Sequence, residues 1–326
     1  MKKKVVIIGG GTGSVAVLTG LKKFEDFDLS VIVSMTDDGG SNAVIRDQFG
    51  LLPLSDVRKS IIALAYTDQD ILRQLFTYRF DRGDGIKGHT LGNLIMLALS
   101  DITKSELGAI EATSTLFDVR GHVIPVTLER TSLVATYDDG SVIESEHLID
   151  EPEEDDGNKI VQLSLSKEVA AYNKAVQAIE EADVIIAGPG DLYTTTLANI
   201  IIKGIPEAMQ KNKGKFIFIS NLMTKKGQTH WMKAKDLVGE ITTYAGRKPD
   251  LVLVHDDGLP EEGLRQYAEK QEFPIDDNLG AGDGYDVVRR DIIFDGRIER
   301  DKGDSLIRSL IRHDADKLGD VLRELI

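Results

Sequence analysis

The stretch Lys4-Val5-Val6-Ile7-Ile8-Gly9-Gly10-Gly11-Thr12-Gly13-Ser14 decides how the rest of the chain is read. Apolar, β-prone residues run straight into a glycine cluster, and a mildly amphipathic segment, Val15 to Lys23, follows at once. A continuous apolar run bounded by glycine is the pattern of a strand buried on both faces, as in a parallel sheet. Strand, Gly-rich turn and helix in that order open a nucleotide-binding βαβ unit. Without a Cβ, the glycines permit positive φ and let the backbone approach a phosphate. The following helix points unpaired N–H groups and its positive dipole end at that anion.

The spacing agrees. Gly11-Thr12-Gly13-Ser14-Val15-Ala16 fits G-x-G-x-x-A, a form of the dinucleotide fingerprint. A second strand, Leu29 to Met35, runs into Thr36-Asp37-Asp38. The fingerprint expects an acid about 20 positions on, at the end of that strand, to bind a ribose hydroxyl. Asp37 or Asp38 suits that role, a divalent metal, or a substrate hydroxyl; Asp and Gly are also plain turn residues. No Lys-Ser or Lys-Thr follows the glycines, so this is not a P-loop.

The chain has 326 residues, enough for about two domains or one large α/β domain. Hydrophobic residues make up 41%, enough for a core. Net charge is 39 − 54 = −15, which argues against general nucleic-acid binding and against docking on anionic lipid. With no cysteine, disulfides, iron–sulfur clusters and Cys-zinc sites are excluded. No apolar run approaches the roughly 18 residues needed to span a bilayer. The apolar run behind Met1-Lys2-Lys3-Lys4 is too short for a signal peptide, so a cytoplasmic location is expected.

Along the chain, Ser55 or Asp56 can cap a helix running through Ala65. Arg58 and Lys59 in its first turn oppose the dipole preference, which suggests that at least one serves an anion. Gln69 to Phe80 reads as a helix. Gly88-His89-Thr90-Leu91-Gly92-Asn93 opens an apolar helix to about Ser100 and places His89 near Asn93. For His89, ligand contact and a structural role stay open. From Val119 to Leu165 the pattern turns to short strands, with a hairpin across Asp138-Asp139-Gly140. This β-rich insertion is expected to lie away from the active centre, and the acidic run Leu148 to Gly157 to be a solvated loop. Helical period returns at Lys167 to Glu181.

Ala182 to Thr195, with Gly188-Pro189-Gly190-Asp191 at its centre, repeats the opening logic as a second candidate anion loop. Two such loops in one chain suggest a shared cleft. Strands at Lys215–Ser220 and Leu251–His255 follow, the first ending in the polar edge Asn221 to Thr229. A further strand falls near Asp291–Ile293. Asp314 is placed as the cap of a last helix with core stripe Leu318, Val321, Leu322 and Leu325; Arg312 and His313 before it read as surface residues.

Taken together, Gly9-Gly10-Gly11-Thr12-Gly13, Asp37-Asp38-Gly39-Gly40-Ser41, Asp56-Val57-Arg58, Gly88-His89-Thr90-Leu91-Gly92-Asn93, Gly188-Pro189-Gly190-Asp191-Leu192-Tyr193-Thr194, Asn221-Leu222-Met223-Thr224 and His313-Asp314-Ala315-Asp316-Lys317-Leu318 resemble the YvcK proteins, or gluconeogenesis factors, of the CofD-like superfamily. The resemblance covers nearly the whole chain. It implies a single Rossmann-like, three-layer α/β/α domain with a mostly parallel sheet and a small β-rich insertion at 119–165. It also implies a cytoplasmic regulator that binds UDP-N-acetylglucosamine and links carbon supply to cell-wall synthesis and cell shape through a protein partner. A homo-oligomer is expected, with no required cofactor and with Mg²⁺ as an option at Asp37 and Asp38.

The ligand-binding set it implies is Gly10, Gly11, Thr12, Gly13, Asp37, Asp38, Gly39, Ser41, Arg58, His89, Asn93, Gly188, Gly190, Asp191, Tyr193, Thr194, Asn221, Thr224, Tyr267 and Arg312, with Tyr267 and Arg312 on the nucleotide sugar. The other branch of the superfamily resembles 2-phospho-L-lactate transferase, a metal-dependent enzyme acting on a deazaflavin, where His89 could serve as acid or base. The chain departs from the YvcK pattern at Ser55, at Asn42-Ala43 and at Asp191. A carboxylate at Asp191 would repel a diphosphate unless a cation intervenes. An NAD-binding protein is the blander reading, but no hydride-transfer constellation accompanies the fingerprint.

Overall fold

In the computed structural model, residues 1–39, 52–66, 70–152, 157–256, 258–294 and 311–326 are described. Strand β1 (Lys3–Ile8) lies at the centre of the main sheet. Its side chains alternate between two cores: Val5 and Ile7 enter one layer, Val6 and Ile8 the other. A strand that must be apolar on both faces is the unbroken run seen in the sequence. Around it lie β2 (Phe27–Val33), β3 (His122–Pro125), β7 (Val184–Ala187), β8 (Lys215–Ile219), β9 (Leu251–His255) and β10 (Asp286–Arg290). The order is β10-β9-β8-β7-β1-β2-β3, every pairing is parallel, and helices cover both faces.

The chain winds outward from β1 in one direction and from β7 in the other. The order therefore reverses between β1 and β7, and ligands in open α/β sheets bind at the carboxyl ends of strands at such a switch point. The first helix, Gly11–Leu21, is crossed by the last, Ala315–Leu325. Gly20 and Gly319 permit the approach: a Cβ on Gly20 would lie 2.1 Å from the Ala315 carbonyl oxygen.

A second, antiparallel sheet orders β4 (Leu133–Tyr137), β5 (Val142–Glu144) and β6 (Ile160–Leu165) as β5-β4-β6. The hairpin is where the Asp-Asp-Gly signal placed it, with Ala135 opposite Ile143. The stretch expected as insertion is divided, however. Its strand His122–Pro125 pairs with β2 and forms the edge of the main sheet, because Val123 and Ile124 are buried against the two main layers.

Several helix ends also differ. The first helix begins inside the glycine cluster, at Gly11, not at Val15. Residue Leu54, not Ser55 or Asp56, precedes the Ser55–Leu64 helix without a side-chain cap. The next three helices span Asp70–Thr77, Leu91–Thr103 and Asn173–Glu180. The expected strand near Asp291–Ile293 is a single bridge, Ile293 to His313, beyond the end of β10.

Candidate functional site

The two glycine turns meet at the switch point. A Cβ on Gly13 would sit 2.2 Å from the Pro189 carbonyl oxygen, so this glycine is required for the first helix to lie against the Gly188–Gly190 turn. Gly11 has a φ of +65°, a conformation glycine adopts readily. Helix Gly11–Leu21 has Gly10 at its N-cap, no side-chain cap and no acid in its first turn. Its leading N–H groups thus carry unmet donor capacity. Beside them the Ser14 hydroxyl is fully buried and, among the described residues, unpartnered.

Around this turn other elements bring charge. Asp56 approaches so closely that a Cβ on Gly10 would lie 2.3 Å from its carboxylate. Lys59 Nζ donates to Asp56 at 2.9 Å, and Asp56, with Asp37 behind it, holds that ammonium above its ordinary value. The Asp37 carboxylate also accepts from the Gly39 N–H at 2.9 Å. Asp38 accepts from Ser145 Oγ and from the His147 N–H, both at 2.9 Å, and so holds the start of the short helix Glu146–Asp150.

That helix corrects the sequence reading. It belongs to the inserted stretch, yet it brings Glu146 and Asp150 to the cleft. Ile149 is fully buried, so the first part of the acidic run is not a solvated loop; residues 153–156 lie outside the described ones. Lys225 Nζ donates to Asp150 and, at 2.5 Å, to Asp191. Thr194 Oγ1 donates to Asp150 at 2.9 Å, and Gln228 Nε2 at 3.3 Å. Burial alone would depress the Lys225 ammonium, but Asp191 and Asp150 outweigh it and hold it above the ordinary lysine value. The same lysine answers the difficulty posed by Asp191: its counter-ion is a side chain of this protein. Glu146 is held well above the ordinary glutamate value, first by burial and then by the Asp37 and Asp150 charges.

The far wall is formed by Tyr267 and Arg312. Burial, then Glu272, pushes the Tyr267 phenol up to about 12, with Asp191 and Arg312 both within electrostatic reach. Arg312 is held by backbone: its carbonyl accepts from the Phe294 N–H at 3.0 Å, and the Asp314 N–H donates to Ile292 at 2.9 Å. Asp314 caps the last helix, as its position predicted, accepting from the Asp316 and Lys317 N–H groups. His313 is not a surface residue. Its Nε2 is buried and, among the described residues, unpartnered, and burial beside His255 pushes its imidazole down to about 4.

Of the expected set, Gly10, Gly11, Thr12 and Gly13 lie on the turn that meets the Gly188–Gly190 turn at Gly13 and Pro189, Asp37 lies with Asp56 near Lys59, and Asp191 and Arg312 lie within electrostatic reach of Tyr267. Asn221 supports the Gly188–Gly190 turn by donating to the Gly190 carbonyl at 2.7 Å. Gly39 packs beside the His147 ring, next to Asp38. The remaining residues of the expected set are otherwise engaged. Arg58 is buried, pushed down to about 10 by that burial and by Arg79, and its guanidinium donates to Asn93 Oδ1 at 2.9 Å and to the Phe76 carbonyl at 3.2 Å. Arg58 and Asn93 thus bind each other. His89 is buried ahead of the Leu91–Thr103 helix, with Thr90 as the cap, and its backbone bonds Phe80 and Ile86. Tyr193 is fully buried in the core, and Thr224 bonds the Phe273 backbone in both directions. Ser41 lies outside the described residues.

Sequence reasoning missed Lys225, Glu146 and Asp150. The available signal for the first was the polar edge after β8. Asp150 gave none, because one helical turn inside an acidic run shows no period. Among the described residues, no three His, Asp or Glu groups converge to hold a metal. The Asp37–Asp38 pair does not fit one either, since Asp38 is turned to the Glu146–Asp150 helix.

A doubly wound parallel sheet with two glycine turns meeting at its switch point defines a Rossmann-like class of α/β protein. The profile of one such family, described as 2-phospho-L-lactate transferase CofD, matches residues 5–293, and the chain belongs to the CofD family. A Listeria innocua protein described as a gluconeogenesis factor is 35% identical over 329 residues, covering 100% of this chain and 96% of its own. A Bacillus subtilis protein of the same description is 33% identical over 329 residues, covering 100% and 98%. A crystal structure of a Bacillus halodurans protein superposes with a TM-score of 0.89 at 31% identity, covering 99% of this chain and 100% of that one. No helix among the described residues is long and apolar enough to cross a membrane.

Proposed function

We propose that this chain is a cytoplasmic regulatory protein that binds a UDP-sugar, UDP-N-acetylglucosamine, at the switch-point cleft and responds to carbon supply for cell-wall synthesis. The observation that carries the reading is the uncapped N-terminus of helix Gly11–Leu21 with the buried, unpartnered Ser14 hydroxyl beside it. N–H groups without partners and a positive dipole end favour a diphosphate. Asp37 takes a ribose or sugar hydroxyl. Arg312 pairs with a phosphate through its planar guanidinium, and Tyr267 packs on the nucleoside. Lys225 keeps Asp191 from opposing the anion. The likeness to proteins described as gluconeogenesis factors supports a metabolic role.

Calorimetric titration with UDP-N-acetylglucosamine tests this on wild type and on Arg312→Ala. Saturable binding is expected, weakened at least tenfold in the variant. Absence of binding by any UDP-sugar at millimolar concentration would overturn the proposal.

The family description and the raised Glu146 carboxyl support a second reading, phospholactyl transfer to a deazaflavin. A carboxyl whose pKa is raised by burial and neighbouring charge is suited to act as a general acid. Turnover with an activated donor and a deazaflavin acceptor, with Mg²⁺ present, would favour it. The donor set described above supports this reading less than the first.

A further inference from the structure

The glycine turn after β1 presents donors to an anion, yet a carboxylate stands against it. A Cβ on Gly10 would lie 2.3 Å from Asp56 Oδ2. A phosphate seated on the N–H groups of this turn would meet that oxygen as a like charge. Asp37 adds a second negative charge nearby. The turn therefore needs a cation before it can hold the ligand that its donors favour. Arg58 does not supply one, because its buried guanidinium is spent on Asn93 Oδ1 and the Phe76 carbonyl. Lys225 does not either, because it ties Asp150 to Asp191. Lys59 is placed to do so.

Asp56 and Lys59 lie one turn apart on the Ser55–Leu64 helix, so their side chains leave the same face. Lys59 Nζ donates to Asp56 Oδ1 at 2.9 Å, whereas Oδ2 is the oxygen beside Gly10. One carboxylate thus separates the ammonium from the turn. An ammonium carries three N–H donors, and the Asp56 contact engages one of them. The Lys59 side chain is 34% exposed, so it keeps room to turn towards a bound anion. The Asp56 charge outweighs the cost of burial and keeps the group an ammonium. Beside the same turn, the fully buried Ser14 Oγ lies 2.5 Å from the place of a Cβ on Gly9. It has no partner among the described residues, which marks a ligand site independently of the charges. We infer that Lys59 is a ligand-binding residue of this site: it donates to a diphosphate on the Gly10–Gly13 turn, and Asp56 positions it. The inference rests on the reading of that turn as a diphosphate site, and it names the cation that lets Asp56 stand there.

Calorimetric titration of the full chain with inorganic pyrophosphate, and separately with UDP-N-acetylglucosamine, tests it, with circular dichroism to confirm folding. Wild type is expected to bind both. Lys59→Met should weaken both by about tenfold to a hundredfold, the range for a hydrogen bond to a charged group. Lys59→Arg keeps a cationic donor and should retain part of the affinity. A lysine that merely neutralised Asp56 would be dispensable once Asp56 is neutral. The double variant Asp56→Asn/Lys59→Met removes both charges, and its affinity should stay at least about fivefold below wild type. Full recovery in the double variant would overturn the inference. So would equal UDP-sugar affinity in wild type and Lys59→Met, which leaves the nucleotide-sugar reading intact. Pyrophosphate binding that is lost in Lys59→Met, without binding of any UDP-sugar, would support the role of Lys59 and refute that reading. Binding of neither ligand by wild type would overturn both.

Discussion

Two turns flank the switch point and share one sequence pattern, a buried strand, glycines and a helix start, yet they do opposite things. The turn after β1 keeps unmet hydrogen-bonding capacity: its helix is uncapped and Ser14 has no partner among the described residues. The helix start after β7 is likewise without a side-chain cap, but the charged and polar groups of that turn are paired from within. Asn221 fixes the Gly190 carbonyl, and Lys225 ties Asp191 to Asp150 of the inserted helix. The first is left open and the second is locked. The pattern locates a turn, but the elements brought beside it set its role.

The lock breaks most severely at Lys225. Lys225→Met leaves Asp150 and Asp191 facing each other without a cation. Breaking a buried pair costs about 3–5 kcal/mol, and the partial exposure of Asp191 places this one near the lower figure. Urea unfolding should report that loss, and adding Asp191→Asn should restore part of it. An unchanged midpoint would show that the lysine locks nothing.

Across the cleft, His313 makes the wall behind Arg312 sensitive to acid. Its folded value of about 4 lies below the unfolded 6.5, so the unfolded chain takes up the proton first. The contribution is fully present above pH 6.5 and disappears as pH falls towards 4. At about 1.4 kcal/mol per pH unit it amounts to at most about 3 kcal/mol. Stability measured from pH 7 to 4.5 should fall with this slope in wild type and less steeply in His313→Gln. Parallel curves for the two proteins would refute the assignment.

Contact between the turns is the next test. Gly13→Ala drives a Cβ into the Pro189 carbonyl, backbone that cannot swing aside, and should cost about 1–3 kcal/mol. In Gly10→Ala the new Cβ meets only the Asp56 side chain, which can move, so its Tm should drop less. Equal drops would contradict this contrast. The smallest effect separates the open turn from the locked one most cleanly. Ser14→Ala removes an unpartnered hydroxyl and should leave Tm unchanged. If the hydroxyl bonds a phosphate, UDP-sugar affinity falls about fivefold, in line with roughly 1 kcal/mol for one hydrogen bond. A destabilised variant with intact affinity would reverse the roles given to this residue.

Much of the fold was legible because its signals are local. Val5 to Ile8 had to be buried on two faces, Asp138-Asp139-Gly140 had to turn, and Asp314 had to cap. Other residues misled for an equally physical reason. Arg58 looked like an anion ligand because a base in a first helical turn opposes the dipole. Its partners, Asn93 and the Phe76 carbonyl, are 35 and 18 residues away. The inserted stretch looked remote because a short acidic segment gives no sign that Ile149 is buried and Asp150 paired.

The sequence by itself determined the parallel strands, the two glycine turns and the family, since periodicity, turn chemistry and motif order are properties of contiguous residues. Only the tertiary structure decided which turn stays open and which is locked, and that Asp191 has Lys225 as its counter-ion. It also decided that Arg58 and Asn93 bind each other. These outcomes depend on pairs far apart in the chain, where burial and distance set the energy of a charge or hydrogen bond and residue type alone does not.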